Sequence, residues 1–381
     1  MAPVQRRPQV VHVATRFLRG GSEARIRDIV RATPAADHHL IVGADSDLDL
    51  ARERVAPRSL TQIRSLVRSP HPVLDPVAFL RLSWVLRRRP HDLVITHQSK
   101  AGVIGRAAVA CIRRSQVVHS LSMASFGPGY PQLQDRLFRV LETRLGAHTA
   151  AYVVVGADLV RRYTDLGIDA RKFHVVRSDA RVRAPAIDEV ARIRREAGLP
   201  ERRPVILYLG SLEPRKNVLR LVDLLQILSD APLPSRPFLA VAGEGPLRGR
   251  LEEALAARGL SEDAAVLGFV GEPISVVAAA DALVLLSDVE GLPQVLVQAA
   301  AVGTPFVASD VDGVRELLAL GADGHVVASG RIEEAARALK TVLTSERRPP
   351  AVDLASWAPD AIARAYRGVI GSFIEVPVTV P

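Results

Sequence analysis

The chain has 381 residues, 48% of them apolar and only 4% aromatic. That length calls for more than one core, and that composition excludes disorder and leaves Val, Leu, Ile and Ala to build the cores. The net charge of +9 divides into +15 over residues 1–185 and −6 over residues 186–381.

The basic first half suits an anionic partner, such as a membrane surface or a phosphorylated acceptor, or is simply an arginine-rich solvated surface. Nucleic acid is disfavoured, because the basic residues are not interleaved with aromatics and no reader motif occurs.

In chain order, short β-branched runs alternate with helical stretches. QVVHVA (9–14) follows a basic N-terminus with too short an apolar run for a signal peptide. HLIVG (39–43), DLVITH (92–97), SQVVHSL (115–121), AYVVVG (151–156) and FHVVR (173–177) complete the first half. Helices are predicted over 21–33, 76–89, 100–113, 131–146 and 157–166. The helix over 76–89 carries Phe79, Leu82, Trp84 and Leu86 among arginines. It reads as a core-facing helix with a basic C-terminus, or as one that lies on a membrane. The single cysteine, Cys111, excludes an intrachain disulfide and is expected to be a buried structural thiol.

The stretch 178–204 has little strand character and marks a boundary. Six more strands follow at 204–210, 237–243, 264–270, 282–287, 305–309 and 324–328, with helices between, and a last helix follows Trp357. Continuous apolar strands separated by helices give a parallel sheet covered on both faces. The fold class is therefore α/β, with two tandem doubly wound, Rossmann-like domains. The expected division is 1–183 with a returning helix at 357–381, and 184–356. Ligands in such sheets bind beyond the strand carboxyl ends, so a cleft between the domains is the expected site. The longest apolar region, 264–286, is broken by Gly271, Glu272, Pro273 and Asp281, and spans no membrane. A cytoplasmic protein is expected, with peripheral attachment at the inner membrane face as an alternative.

Four loops carry chemistry. Gly20 and Gly21 stand between the first strand and first helix, where a glycine loop admits a phosphate or sugar. They do not form GxGxxG, which argues against a dinucleotide oxidoreductase. In YLGSLEPRKN (208–217), Gly210 turns the chain, and Arg215 and Lys216 precede a helix; this suits a phosphate or is a solvated basic turn. In VAGEGPLRGRLE (241–252), Gly243 and Gly245 flank Glu244, letting backbone approach a ligand or merely turn. In EGLPQVLVQAAAVGTP (290–305), Pro293 suits a first helical turn and Gln294 and Gln298 are helical neighbours. Glu290 reads either as a helix cap or, with the glutamines, as the start of a row of hydroxyl-binding groups.

Together these residues resemble the family 4 retaining nucleotide-sugar glycosyltransferases, which have the two-domain GT-B fold. RGGSE resembles the family's N-terminal GG loop, and THQSKAGVIGRAA (96–108) its HxSKAGxxGR segment. YLGSLEPRKN is similar to GRLxPxKG, and VAGEGPLRGRLE to GxGPxxxxLE. SDVEGLPQVLVQAAAVGTPFVASDVDGVRE follows SxxEGxPxxxxEAMAxGxPVVASxxGGxxE almost throughout.

The resemblance implies that Lys216 contacts the donor pyrophosphate and that Glu290 takes sugar hydroxyls, beside the backbone N–H groups of Gly291 and Leu292. It places Phe269 at the base, Gln298 at the ribose, and Gly20 and Gly21 at the phosphates. His97, Lys100, His119 and Ser122 become candidates on the acceptor side. The family's pattern is not kept everywhere. Ser211 replaces an arginine, for which Arg215 is a substitute. Ser122 replaces the second histidine of HTVHG, RSDA stands for NGVD, and Gln298 replaces a glutamate. An amide binds a ribose hydroxyl more weakly than a carboxylate does, so a restored glutamate is expected to tighten nucleotide binding.

The implied reaction moves a sugar from a nucleotide-diphosphate sugar, with UDP favoured, to an acceptor hydroxyl. The configuration is retained, and no cofactor is expected. With no acidic pair spaced for a divalent ion, metal independence is expected. The acceptor is a small molecule or lipid-linked. Alternatives on the same fold are a nucleotide-sugar 2-epimerase, a pseudo-glycosyltransferase and a non-catalytic partner subunit.

Overall fold

The computed structural model of the chain describes residues 6–18, 20–113, 115–180, 186–345 and 352–374. It divides into two units, Met1–Asp179 with Ala355–Pro381, and Ala180–Leu354.

The first unit runs β1 (Gln9–Ala14), α1 (Gly21–Ala32), β2 (Asp37–Gly43), α2 (Leu48–Val55), β3 (Ser59–Ile63) and α3 (Leu74–Arg88). It continues with β4 (Leu93–His97), α4 (Ser99–Ile112), β5 (Gln116–Leu121), α5 (Gln132–Gly146), β6 (Ala151–Val154), α6 (Ala157–Thr164) and β7 (Phe173–Val175). Among the described residues these strands form one sheet in the order β3-β2-β1-β4-β5-β6-β7. Every pairing is parallel. The sequence pattern missed β3, Ser-Leu-Thr-Gln-Ile, because an edge strand half open to solvent carries polar residues and lacks an apolar run.

The second unit runs α7 (Ile187–Glu196), β8 (Val205–Leu209), α8 (Arg220–Ser229), β9 (Phe238–Ala242), α9 (Arg248–Ala257), β10 (Ala264–Gly268) and α10 (Pro273–Ala279). It ends with β11 (Ala282–Leu285), α11 (Gln294–Val302), β12 (Phe306–Ser309), α12 (Val314–Ala319), β13 (Gly324–Val327) and α13 (Ile332–Thr344). Its parallel sheet has the order β10-β9-β8-β11-β12-β13. In both sheets the order reverses beside the first strand, which is the switch point where a doubly wound sheet opens a crevice.

Each sheet is sandwiched. In the first unit Val11, Val13, Val94 and Val117 pack under Ala78, Leu82 and Leu86 of α3 and Ala101, Ile104 and Ala108 of α4. On the other face Val10, Ile95, Val118 and Val153 meet Ile29 of α1 and the helix α14 (Pro359–Gly371), through Ile362, Tyr366 and Ile370. Trp357, before α14, is buried with the Arg177 guanidinium 4.5 Å from its ring. In the second unit Ile206, Leu239, Val284 and Val307 are covered by leucines of α8 and by α13.

The expected burial of Cys111 is corrected: it is exposed in the last turn of α4, at the margin of the stripe through Ala101, Ile104 and Ala108. α3 also divides its apolar residues. Leu82 and Leu86 enter the core, while Trp84 is 56% exposed. No described helix is long and apolar enough to cross a membrane.

Candidate active site

The carboxyl ends of β8 to β12 gather the site residues of the second unit. After β8 a 3-10 turn over Pro214–Lys216 ends at Asn217, which is left-handed with φ 54°. The Asn217 side chain donates to the Leu286 carbonyl at 2.9 Å and to Asp288 Oδ1 at 2.6 Å. Ser329 donates to the same Asp288 oxygen at 2.9 Å, and the Asp288 N–H donates to the Arg215 carbonyl at 3.0 Å. The loops after β8, β11 and β13 are thus tied together. The sequence assigns no clamping role to Asn217, Asp288 or Ser329, since each partner is remote along the chain.

This clamp sets the charged groups. Lys216 Nζ donates to Glu290 Oε1, and Arg215 stands 3.9 Å from the other Glu290 oxygen. Arg215 also binds Glu213 at 3.1 Å and the Val289 carbonyl at 3.4 Å. Lys216 and Glu290 side chains are 12% and 11% exposed, so the pair is shielded yet reachable. Burial and the Glu290 carboxylate push the nearby Tyr208 phenol up. The Tyr208 hydroxyl donates to the Ser211 carbonyl at 2.9 Å, holding the turn where Ser211 stands.

Glu290 is not a helix cap. α11 starts at Gln294, with Pro293 at its N-cap and no side-chain cap bond. Gly291, Leu292 and Pro293 are buried before it. Gly313, at φ 86°, lies so close that a Cβ there would sit 2.9 Å from the Gly291 carbonyl oxygen. Glu290 is left at the helix N-terminal end, with its carboxylate available to Lys216.

The glycines of the second loop serve packing. A Cβ on Gly243 would come within 1.9 Å of the Gly210 carbonyl oxygen, and one on Gly245 within 2.6 Å of that of Leu212. The backbone bonds Leu212 N–H to Glu244 O at 2.9 Å and Gly243 N–H to Gly268 O at 2.7 Å join the loops after β8, β9 and β10. The close approach that Gly243 permits is to Gly210, its neighbour loop.

Phe269 and Gln298 lie elsewhere. Both line a cleft of about 1080 Å³ between α7 and the segment leading into α10, with Arg192, Glu196, Gly271 and Ile274. Phe269 is 65% exposed, an aromatic face open at the rim. Gln298 is 6% exposed, and its Nε2 donates to the Ala180 carbonyl at 2.7 Å. Lys216 and Glu290 do not line this cleft. Gln294 points its amide at the Leu292 carbonyl at 3.4 Å, while its Oε1 is buried without a partner.

In the first unit, Gly20 is the N-cap of α1 at φ 146°, where only glycine is comfortable. Among the described residues, and chain neighbours aside, no atom lies within 4 Å of where a Cβ on Gly20 or Gly21 would stand. Those glycines therefore answer to backbone conformation and open space.

The acceptor-side candidates divide. Ser122 is exposed. Lys100 is bound to Asp75 and to the Ser69 carbonyl, which anchors α4 to the segment before α3. His119 is corrected from an acceptor contact to a core residue. It is fully buried, its Nδ1 lies 3.2 Å from the Thr96 carbonyl, and a Cβ on Gly102 would touch its ring. The glycines of the HxSKAGxxGR segment make room: Gly102 for His119, Gly105 for Thr96. Arg106 of that segment is wholly buried against Glu142 at 2.7 Å.

His97 ends a buried chain. His38 Nε2 lies 3.1 Å from the Thr33 carbonyl, His38 Nδ1 lies 3.0 Å from His12 Nε2, and His12 Nδ1 lies 3.1 Å from His97 Nε2. Burial lowers the pKa of all three, with that of His97 lowered to about 3 by burial and Arg25. Neutral rings give this chain one direction. The Thr33 carbonyl only accepts, so each Nε2 carries the proton and His97 Nδ1 is left as an acceptor.

Residues 20–179 match the family described as Glycosyl transferase 4-like domain, and residues 189–356 match Glycosyl transferases group 1. The 2-deoxystreptamine glucosyltransferase of Streptomyces kanamyceticus is 31% identical over 280 residues, covering 68% of this chain and 70% of that protein. The chain belongs to the group 1 glycosyltransferases. An Escherichia coli relative, UDP-Gal:alpha-D-GlcNAc-diphosphoundecaprenol alpha-1,3-galactosyltransferase, is 24% identical over 284 residues, covering 74% of this chain and 73% of that one. Among solved structures, HepE of Anabaena in complex with UDP and glucose superposes with a TM-score of 0.70 at 19% identity, over 96% of this chain and 95% of its own. The glycosyltransferase thus has the GT-B fold, with one Rossmann-like sheet in each unit. It is an enzyme of hexosyl transfer that uses a nucleotide-sugar donor.

Proposed function

We propose that this glycosyltransferase moves a sugar from a UDP-sugar to an acceptor hydroxyl with retention of configuration and without a metal ion. The observation that carries the reading is the Lys216–Glu290 pair, held at the carboxyl edge by the Asn217–Asp288 clamp. Departure of a nucleoside diphosphate builds negative charge on the leaving phosphate and positive charge at the sugar. A lysine and a helix N-terminus answer the first charge, and a carboxylate that accepts sugar hydroxyls fixes the second group in place.

In this reading the resting ion pair is exchanged on binding. Lys216 turns to the pyrophosphate and Glu290 to the sugar, with Arg215 as a second cation. Phe269 and the cleft beside Gln298 hold the base and ribose. UDP is favoured because the Escherichia coli relative is named for UDP-Gal and HepE was solved with UDP.

The test is a thermal-shift screen of UDP-, GDP- and TDP-sugars, followed by transfer assays with the best donor. Stabilisation by UDP-sugars alone, an α-linked product from an α-linked donor, and full rate in chelator are the expected results. An inverted product or a chelator-killed enzyme overturns the corresponding part. An epimerised nucleotide sugar formed without acceptor overturns transfer itself.

A further inference from the structure

The first unit exposes apolar rows on two helices that flank a third. On α3, Val77, Leu80 and Trp84 follow one another at helical spacing, with Leu80 64% exposed. On α5, Leu133, Leu137 and Val140 do the same, with Leu133 81% exposed. Both helices pack against α4. The outer positions of α4 are Val103, Ala107 and Ala110, which are half-buried and uncharged. The apolar character therefore continues from α3 across α4 to α5. A run of this extent is more than the scattered exposed leucine of an ordinary surface.

The charge around it has one sign. Every acid on α3 and α5 is occupied: Asp75 by Lys100, Asp135 by Arg139 at 2.8 Å and Glu142 by Arg106 at 2.7 Å. Exposed beside the rows stand Arg81 and Arg88 on α3, and Arg136 and Arg144 on α5. The Arg88 guanidinium lies 4.4 Å from the Trp84 ring centre, as an arginine does that shares an interfacial tryptophan with the aqueous side.

We propose that the α3–α4–α5 face is a docking surface for an anionic lipid bilayer. Apolar side chains at the level of the acyl boundary and arginines at the level of the headgroups match the two layers such a surface offers. A second copy of the chain fits worse, because this face against itself would set arginine against arginine. The rows begin at the N-terminal turns of α3 and α5. As crossover helices of a parallel sheet, these turns lie at the carboxyl edge, where Gly20 and Gly21 also lie. A lipid-bound molecule at the bilayer surface is then beside the first unit's own glycine loop. The face rests on the transfer reading only for its consequence, that the acceptor is a hydroxyl on a lipid-linked molecule.

The experiment is sedimentation of the full chain with phosphatidylglycerol–phosphatidylcholine vesicles and with phosphatidylcholine alone, at low and high salt. Wild type should pellet with the anionic vesicles and be released by salt. Leu80→Ser/Trp84→Ser/Leu133→Ser/Leu137→Ser should lower partitioning by at least about tenfold. Each of Arg81→Gln, Arg88→Gln and Arg136→Gln should lower it by about fivefold. Exposed positions keep these variants folded, which unchanged melting and unchanged UDP-induced stabilisation will report. No pelleting of wild type, or equal pelleting of the quadruple variant, overturns the proposal. So does a concentration-dependent dimer that the same substitutions dissolve. Absent UDP stabilisation in wild type would count against the transfer reading and leave the vesicle result standing.

Discussion

Gln298 Nε2 donates to the Ala180 carbonyl at 2.7 Å, so the side chain that replaces the family's glutamate fastens the start of the second unit onto α11. A carboxylate cannot donate that bond. Gln298→Glu is therefore predicted to set two acceptors face to face in a buried place and to cost about 1–3 kcal/mol. Urea unfolding measures the loss, and titration of UDP should show no gain in affinity. A tighter UDP complex with unchanged stability would return the position to the ribose.

The shared ion pair makes the roles of Lys216 and Glu290 separable. Lys216→Ala should weaken UDP and UDP-sugar alike and lower kcat by about a hundredfold or more, the scale for removing one donor to developing charge. Glu290→Ala releases Lys216 from its resting partner. Calorimetry should then find free UDP bound as well as before or better, and the UDP-sugar bound worse. Equal losses for both ligands would contradict the sugar role.

The buried histidines give the fold an acid limit. Burial lowers the pKa of His12, His38, His97 and His119 below that of the unfolded chain. The native state then binds fewer protons than the unfolded state, so stability is full above about pH 6.5 and falls as pH drops below it; for His97 the fall continues toward about pH 3, by about 1.4 kcal/mol per pH unit. His12 faces His38 and His97, His97 also faces Arg25, and His119 faces Arg106, so every charged neighbour opposes protonation except Asp37 near His38. Melting temperatures between pH 4 and 8 check the slope. His97→Asn should flatten it, and a flat wild-type profile would contradict the neutral chain.

Arg106 and Glu142 form a wholly buried pair, to which the Arg106 guanidinium adds the Tyr152 hydroxyl at 3.2 Å and the Gly102 carbonyl at 2.9 Å. Removing the arginine alone strands a carboxylate, so Arg106→Leu should cost about 3–5 kcal/mol. Arg106→Leu/Glu142→Leu should recover much of that in denaturant melts. Equal losses for the single and double variants would mean that the pair itself carries the stability.

Much of this was legible before any coordinates. Thirteen strands lie in the two sheets among the described residues, and only edge strand β3 left no apolar run to read. The loops with Gly20, Lys216 and Glu290 were recognisable because each stands between a strand and a helix at a sheet's carboxyl edge. The purposes of Gly243, Gln298 and His119 were not. Their partners Gly210, Ala180 and Gly102 are separated from them along the chain, and a close backbone approach leaves no mark on composition.

The sequence alone determined the architecture, because continuous apolar runs alternating with helices have one economical home, a parallel sheet covered on both faces. It also determined the chemistry available at the edge, since a glycine turn, a lysine and a carboxylate are residue types that need no coordinates to be read. Only the tertiary structure decided which of those groups are free to meet a ligand. His97, His119, Lys100 and Gln298 carry donors and acceptors that could serve a substrate, and each is already engaged by the fold. A buried polar atom takes the nearest partner that spares it desolvation, and only packing determines which partner that is.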